Sequence, residues 1–281
     1  MRPPIDGGTI LITGASSGIG REMARQLAPR ARALAVVARR RERLEELRSE
    51  LVAAHPRLVV SVQACDLTDL ESSERMVAAV QEELGDVDIL INNAGFGDIG
   101  MFDRADWNKT QQMIRVNVET LTYLTHRLLA GMVARRRGGI LNVSSGFGLN
   151  FMPGFSAYVG TKHYVTSFTE CLRLETRSAG VVVSQVCPGP TETEFNEVMG
   201  VPGGLNAPAL SRLTPARSAR WALWGFERDR ALISPGYIMK LLYFLGAWTP
   251  RWFLRLIYAP VGNRMRKLQA KLLAAETEGE P

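Results

Sequence analysis

Apolar residues in this chain gather in short, nearly unbroken runs: TILIT (9–13), ALAVVA (33–38), LVVSVQA (58–64), VDILI (87–91), GILNVS (139–144), VVVSQVC (181–187) and ALIS (231–234). They lack the strict apolar–polar alternation of a half-solvated strand, so they predict strands buried on both faces. Between them lie stretches with helical spacing, near 18–29, 41–54, 71–84, 106–134, 156–178 and 215–227. Such alternation implies βαβ units, right-handed crossovers and a parallel sheet covered on both sides, an α/β fold. No internal repeat or Pro/Gly linker divides the chain, so a single domain over 1–281 is expected, with a core at 7–235 and an apolar helical extension at 236–281.

Two regions break the rhythm. Residues 188–214 are rich in Gly and Pro with little periodicity; so long a stretch inside a compact domain is either disordered or a functional lid. Residues 236–258 concentrate aromatics, and Thr249-Pro250 splits them into two short helices, threonine being a good N-cap and proline tolerated at the first helical position.

Composition narrows the function classes. With 46% hydrophobic and 22% charged residues, the chain can bury a large core. Cys65, Cys171 and Cys187 are scattered and show no CxxC spacing, which argues against a disulfide framework or a zinc site. His55, His126 and His163 show no ligand spacing, so no metal is expected. The net charge of +6 is spread along the chain, the clusters Arg39–Arg41 and Arg135–Arg137 are short, and no recognition motif accompanies them. No nucleic-acid partner is therefore expected. The start MRPPIDGGTILITG has no long apolar core, so no secretory signal is expected. No run reaches the ~18 apolar residues of a membrane span, and a cytoplasmic location follows as the expectation.

The chemistry gathers after the strands, where open parallel sheets bind ligands. TGASSGIG follows the first, and Gly14, Gly18 and Gly20 would let the backbone turn sharply and approach a phosphate, at a helix starting near Ser17. A single glycine turn is the plainer reading, but the strand–loop–helix setting favours a dinucleotide. The second strand ends in ARR, with Arg39 standing 19 residues after Gly20 and no carboxylate there. Arginine accommodates a ribose 2′-phosphate where an acid would bind the hydroxyl, so NADP(H) is favoured over NAD(H). CDLT, NNAG, SSGFG and PGPTET follow the next four strands, short polar residues at one sheet edge.

TGASSGIG, Asp66, NNAG at 92–95, Asn117, Ser145, Tyr158-x-x-x-Lys162 and PG at 188–189 together resemble the short-chain dehydrogenase/reductase family over roughly residues 7–235. The ordered combination is specific although each motif alone is weak. The resemblance implies a Rossmann-like doubly wound sheet of about seven parallel strands, a small-molecule carbonyl or alcohol substrate, and a homo-dimer or homo-tetramer. It implies a catalytic tetrad of Asn117, Ser145, Tyr158 and Lys162, with Ser145 preferred over Ser144 because it stands 13 residues before Tyr158. It extends the cofactor cradle over Ser16, Ser17, Ile19, Arg40, Leu67, Asn92, Ala94, Gly95, Pro188, Gly189, Thr191 and Thr193. Thr191 departs from the aliphatic residue more usual there, which bears on the local loop geometry.

Tyr158 and Lys162, four apart, share a helix face, in a chain with 29 Arg and only 5 Lys. A free tyrosine titrates near ~10 and is a poor base; a nearby ammonium favours the phenolate. Lysine suits the position because its compact head has three rotatable donors, enough to reach a ribose as well. Tyr158 would exchange the proton and Ser145 would hydrogen-bond the substrate oxygen, and the resemblance implies that Asn117 holds a water linking Lys162 to solvent. The pair thus reads as the acid–base unit of an enzyme; the alternative is a non-catalytic NADP(H)-binding regulator on the same fold. Trp248, Trp252, Phe253 and Tyr258, interspersed with Lys240, Arg251 and Arg255, suit a helix at an apolar–water boundary. The tail therefore reads either as a cap selecting lipophilic substrates, with peripheral membrane contact through 236–258, or as part of the core or a dimer interface.

Overall fold

The computed structural model describes residues 1–195, 199 and 212–278. Seven strands form one sheet: β1 (Thr9–Thr13), β2 (Ala33–Ala38), β3 (Val59–Ala64), β4 (Ile89–Asn92), β5 (Gly138–Val143), β6 (Val181–Val186) and β7 (Leu232–Ile233). Their order is β3-β2-β1-β4-β5-β6-β7, every pair parallel. This is the doubly wound arrangement, and its order reverses between β1 and β4, where such folds place their ligand crevice.

Helices α1 (Gly18–Leu27), α2 (Arg41–Ala54) and α3 (Leu70–Leu84) follow the first three strands. Ile10, Ile12, Leu34, Val36 and Ile91 pack on one face against Met23, Leu27, Leu44 and Leu47 of α1 and α2. Their neighbours Leu11, Ala35, Val37 and Leu90 pack on the other against Val77 and Val80 of α3 and Leu124 and Leu128 further on. Both faces are covered, which is why the strand sequences do not alternate.

The helical stretch expected as one piece at 106–134 is three: α4 (Trp107–Ile114), a π-helical segment (Arg115–Thr120) and α5 (Leu121–Ala134). Hydrophobic spacing continues smoothly across the wider turn, so the pattern alone does not betray it. Helices α6 (Ser156–Thr176) and α7 (Pro215–Glu227) complete the core. The tail forms α8 (Tyr237–Trp248) and α9 (Arg251–Glu278), breaking at Thr249-Pro250 as expected. The second tail helix is long, 28 residues, rather than short, and carries Pro260 inside it. Good helix formers follow the aromatic run, and the helix is tied down by Arg266 bonding Asp103 at 2.7 Å and by Met265 against Gly154. Most of the 188–214 stretch read as a loop or lid lies outside the described residues; its start is joined to its end by a parallel bridge between Thr191 and Leu213. No helix among the described residues is long and apolar enough to cross a membrane.

Candidate active site

Strands β1 and β4 are locked together at their carboxyl ends by small polar groups. The Thr13 hydroxyl accepts from the backbone N–H of Asn93 and of Ala94, both at 3.0 Å. The Asn93 amide donates to the carbonyls of Thr13 (2.9 Å) and Gly14 (3.2 Å). Gly14 adopts φ +68°, and a Cβ there would stand 2.8 Å from the Asn93 amide nitrogen and 2.9 Å from Ala94 Cα. Ser17 is the N-cap of α1 but its side chain makes no capping bond, so the first-turn N–H groups are left for an anion. Ser16, Ser17, Gly18 and Ile19 line a cavity of about 880 Å³. Gly20 does not; it lies against the Gly14 carbonyl and the Asn93 amide, where a Cβ would come within 2.5 Å. Its role is packing of helix on loop.

The cavity wall continues over Arg39, Arg40, Asp66, Leu67, Ala94 and Gly95. Asp66 Oδ1 accepts from both the N–H and the hydroxyl of Thr68 at 3.0 Å, which fixes its carboxylate in a local turn. Asn92, expected in the cradle, is buried behind it. Its amide donates to Asn142 Oδ1 (2.9 Å) and Thr125 Oγ1 (3.1 Å), because a strand residue one place before the turn points between sheet and helix. Asn93, the wall residue of that motif, was not singled out from sequence, although the doubled asparagine was visible.

The four residues of the expected tetrad converge, three of them on the wall. Asn117 sits in the π-helical turn and is buried. Its amide donates to the Phe96 carbonyl (2.9 Å) and the Thr161 hydroxyl (3.1 Å), while its oxygen accepts from Phe96 N–H (3.2 Å). The side chain thus clamps the backbone at Phe96 to α6. Ser145 follows β5, its hydroxyl accepting from Phe147 N–H at 3.2 Å. Tyr158 and Lys162 are both buried on the cavity face of α6. The Lys162 ammonium donates to the Val143 carbonyl at 3.0 Å and stands 5.9 Å from the centre of the Tyr158 ring.

That geometry corrects the electrostatic expectation. Burial pushes the Tyr158 phenol up to about 12, with the Ser145 side chain working the other way. Burial pushes Lys162 down to about 8, with nearby Cys187 opposing. Loss of water outweighs an ammonium that is aimed at a backbone carbonyl rather than at the phenolic oxygen. The phenol is thereby placed to donate a proton to an oxygen bound beside it.

Pro188, Gly189, Thr191 and Thr193 close the cavity from the loop after β6. Thr191 donates to the Gly189 carbonyl at 3.1 Å, so the departure at this position makes its own turn. Thr193 lies against the glycine turn, its methyl 3.1 Å from where a Gly18 Cβ would be. Sequence reasoning did not single out the apolar lining beside Tyr158: Phe147 and Phe195 pack on its ring with centroids 6.1 and 5.8 Å away. The tail contributes Gly246, Thr249, Leu254 and Tyr258 to the wall. Tyr258 meets Phe151 edge-on at 5.6 Å.

Comparison with known proteins agrees with this geometry. The pattern of the short chain dehydrogenase family matches residues 8–200. The NADP-dependent 3-hydroxy acid dehydrogenase of Schizosaccharomyces pombe is 38% identical over 197 residues, 69% of this chain and 75% of that one. Among solved structures, a short-chain dehydrogenase from Sphingobium yanoikuyae in complex with NADPH superposes with a TM-score of 0.77 at 30% identity, covering 85% of this chain and 93% of its own. The bulky-bulky ketone specific alcohol dehydrogenase from Comamonas testosteroni gives 0.72 at 27% identity, covering 92% and 93%. With its sheet order, its glycine turn and its convergent serine, tyrosine and lysine, the chain belongs to the short-chain dehydrogenase family of oxidoreductases.

Proposed function

We propose that this chain is an NADP(H)-dependent oxidoreductase interconverting a carbonyl and an alcohol on a bulky, lipophilic substrate such as a 3-oxoacyl compound, a long-chain ketone or a steroid-like molecule. The observation that carries the reading is the lining of the cavity. Polar Ser145, Tyr158 and Lys162 stand among apolar Phe96, Phe151, Met152, Phe195, Leu254 and Tyr258. The nucleotide part also fits the residues present: Gly14, Ser16 and Ser17 line the cavity at the glycine turn, the helix N-terminus is uncapped, and Arg39 and Arg40 supply cations for a 2′-phosphate. The NADPH-complexed and bulky-ketone relatives support the same choice of cofactor and substrate class.

When bound, the nicotinamide would supply or accept the hydride. The chain does the rest. Tyr158, held protonated, gives its proton to the developing alkoxide, and Ser145 hydrogen-bonds that oxygen as its charge grows. Lys162 offers its remaining donors to the nucleotide ribose, and Asn117 holds Phe96 and Thr161 so that α6 keeps its register against the cavity. A regulator without catalysis would have no use for this set.

A reductase screen with NADPH over ketones of graded chain length tests the reading. Each buried methylene contributes ~0.8 kcal/mol, about fourfold in catalytic efficiency. A flat profile would sink the lipophilic assignment, and Leu254→Asn should flatten the wild-type slope.

The outer face of the tail favours a second statement, that α8 and α9 touch a membrane surface peripherally. Trp248, Trp252 and Leu256 are 77%, 62% and 64% exposed. Lys240, Arg251, Arg255 and Arg264 accompany them, and no Asp or Glu occurs between 236 and 275. That pattern suits anionic headgroups. Co-sedimentation with vesicles containing phosphatidylglycerol, but not with neutral ones, is the expected result. The homo-oligomer belongs to the proposal as well; exposed Ile114, Tyr164 and Leu174 on α4 and α6 offer apolar contact, and light scattering at working concentration measures it.

A further inference from the structure

Arg40 and Arg43, at the start of α2, are partly exposed but share one acidic partner. Both are held by Glu194, 154 and 151 residues further along, in the loop after β6. Arg40 Nη2 donates to Glu194 Oε2 at 2.8 Å, and Arg43 Nη1 donates to the other carboxylate oxygen. The same Arg40 nitrogen stands 3.3 Å from the hydroxyls of Ser16 and Ser17 in the glycine turn. The carboxylate therefore lies on the cavity wall beside Arg39 and Arg40, the cations assigned above to a 2′-phosphate, and holds Arg40 together with its neighbour Arg43.

We propose that Glu194 is an internal anion competing with the 2′-phosphate of NADP(H) for Arg40 and Arg43, so that cofactor choice is coupled to the position of the loop after β6. The inference rests on the assignment of the β2 arginines to that phosphate. A phosphate dianion and a carboxylate cannot share two guanidiniums without strong like-charge repulsion. The phosphate carries more charge and three acceptor oxygens, whereas an exposed ion pair is individually weak, so the phosphate displaces the carboxylate. Hydrogen bonds to Arg43 and Arg40 hold the Glu194 carboxyl down to about 2, so it remains an anion throughout the working range and protonation does not relieve the competition.

Displacement has a second consequence. Glu194 lies between Thr193, which packs against Gly18, and Phe195, which packs on the Tyr158 ring at 5.8 Å. Met199 belongs to the same buried cluster as Tyr158. Releasing Glu194 frees the segment that borders the reacting end of the cavity. NADH, with no 2′-phosphate, leaves the clamp closed. The residue thereby sets specificity as well as access.

The test compares wild type with Glu194→Gln by titration calorimetry using NADPH, NADH, 2′,5′-ADP and 5′-ADP at low salt. The expected result is roughly fivefold or greater tightening of NADPH and 2′,5′-ADP in the variant, the scale of one or two exposed ion pairs removed, with NADH and 5′-ADP unchanged. Unchanged NADH affinity also shows that the variant's site is intact. Hydrogen exchange provides the second readout: NADPH, but not NADH, should raise exchange at 191–195 in wild type, and the variant should show raised exchange before either is added. Weaker or unchanged NADPH binding in the variant overturns the proposal, the first because Glu194 would then be orienting the arginines for phosphate. Equal affinity of the wild type for NADPH and NADH would instead remove the 2′-phosphate assignment itself.

Discussion

Replacing Lys162 by Met should make the protein more stable at neutral pH while ending its catalysis. The ammonium is buried, and its proton affinity falls from the ordinary 10.5 to about 8. At about 1.4 kcal/mol per tenfold change, keeping it charged in the fold at pH 7 costs on the order of 3 kcal/mol. Methionine fills a similar length without charge. It forfeits the 3.0 Å bond to the Val143 carbonyl and leaves that acceptor unpaired, a loss of about 1–2 kcal/mol. The variant should therefore gain roughly 1–2 kcal/mol at pH 7. The gain shrinks as pH rises. Between about pH 8 and 10.5 the unfolded chain keeps a proton that the folded chain has released, so wild-type stability rises with pH. By about pH 9.5 the wild type has recovered about 2 kcal/mol, and the variant's advantage should vanish. Tyr158 and Cys187, whose raised values weaken the fold above their ordinary 10.0 and 9.0, stay protonated in both folded proteins at about pH 9.5 and drop out of the difference. Urea unfolding of both proteins at about pH 7 and pH 9.5 measures it. A stability gap of the same size at both values would refute the reasoning.

Tyr158→Phe should lower turnover ~10²–10⁴-fold on a confirmed substrate while NADPH affinity stays within a factor of two, because the ring still packs but the transferable proton is gone; steady-state kinetics with a fluorescence titration separates the two. Arg39→Ala should weaken NADPH by roughly 10-fold or more, the scale of a lost charge-assisted hydrogen bond, and leave NADH nearly untouched; equal losses for both cofactors would mean the arginine is not at the phosphate. Gly14→Ala combines a left-handed backbone angle, about 1–2 kcal/mol for a non-glycine residue, with a Cβ 2.8 Å from the Asn93 amide. Its thermal midpoint should fall, and an unchanged midpoint would show that the turn yields.

Much of this protein was legible in the order of its residues. Runs of apolar residues without alternation announced strands buried on both faces, and each of the seven found its place. The glycine turn, the arginines after β2 and the Tyr158–Lys162 spacing carry their chemistry locally, within one loop or one helical turn, so a one-dimensional reading reaches them. What only the tertiary structure decided depends on groups far apart in the chain. The phenol's proton affinity follows from burial and from where the Lys162 ammonium points, not from the four-residue spacing. The π-helical turn leaves no break in hydrophobic period, yet it brings Asn117 to Phe96 and Thr161 rather than to the cavity wall. Asn92 and Gly20 carry the right residue types, but a strand points one inward and a helix–loop contact consumes the other. The tail's aromatic run was plain in sequence; that Leu254 and Tyr258 wall the cavity follows from a helix anchored on Asp103 and Gly154, contacts more than a hundred residues away in the chain. Local chemistry is written along the backbone, whereas solvent exclusion and long-range charge pairing arise only when the sheet brings distant segments to one edge.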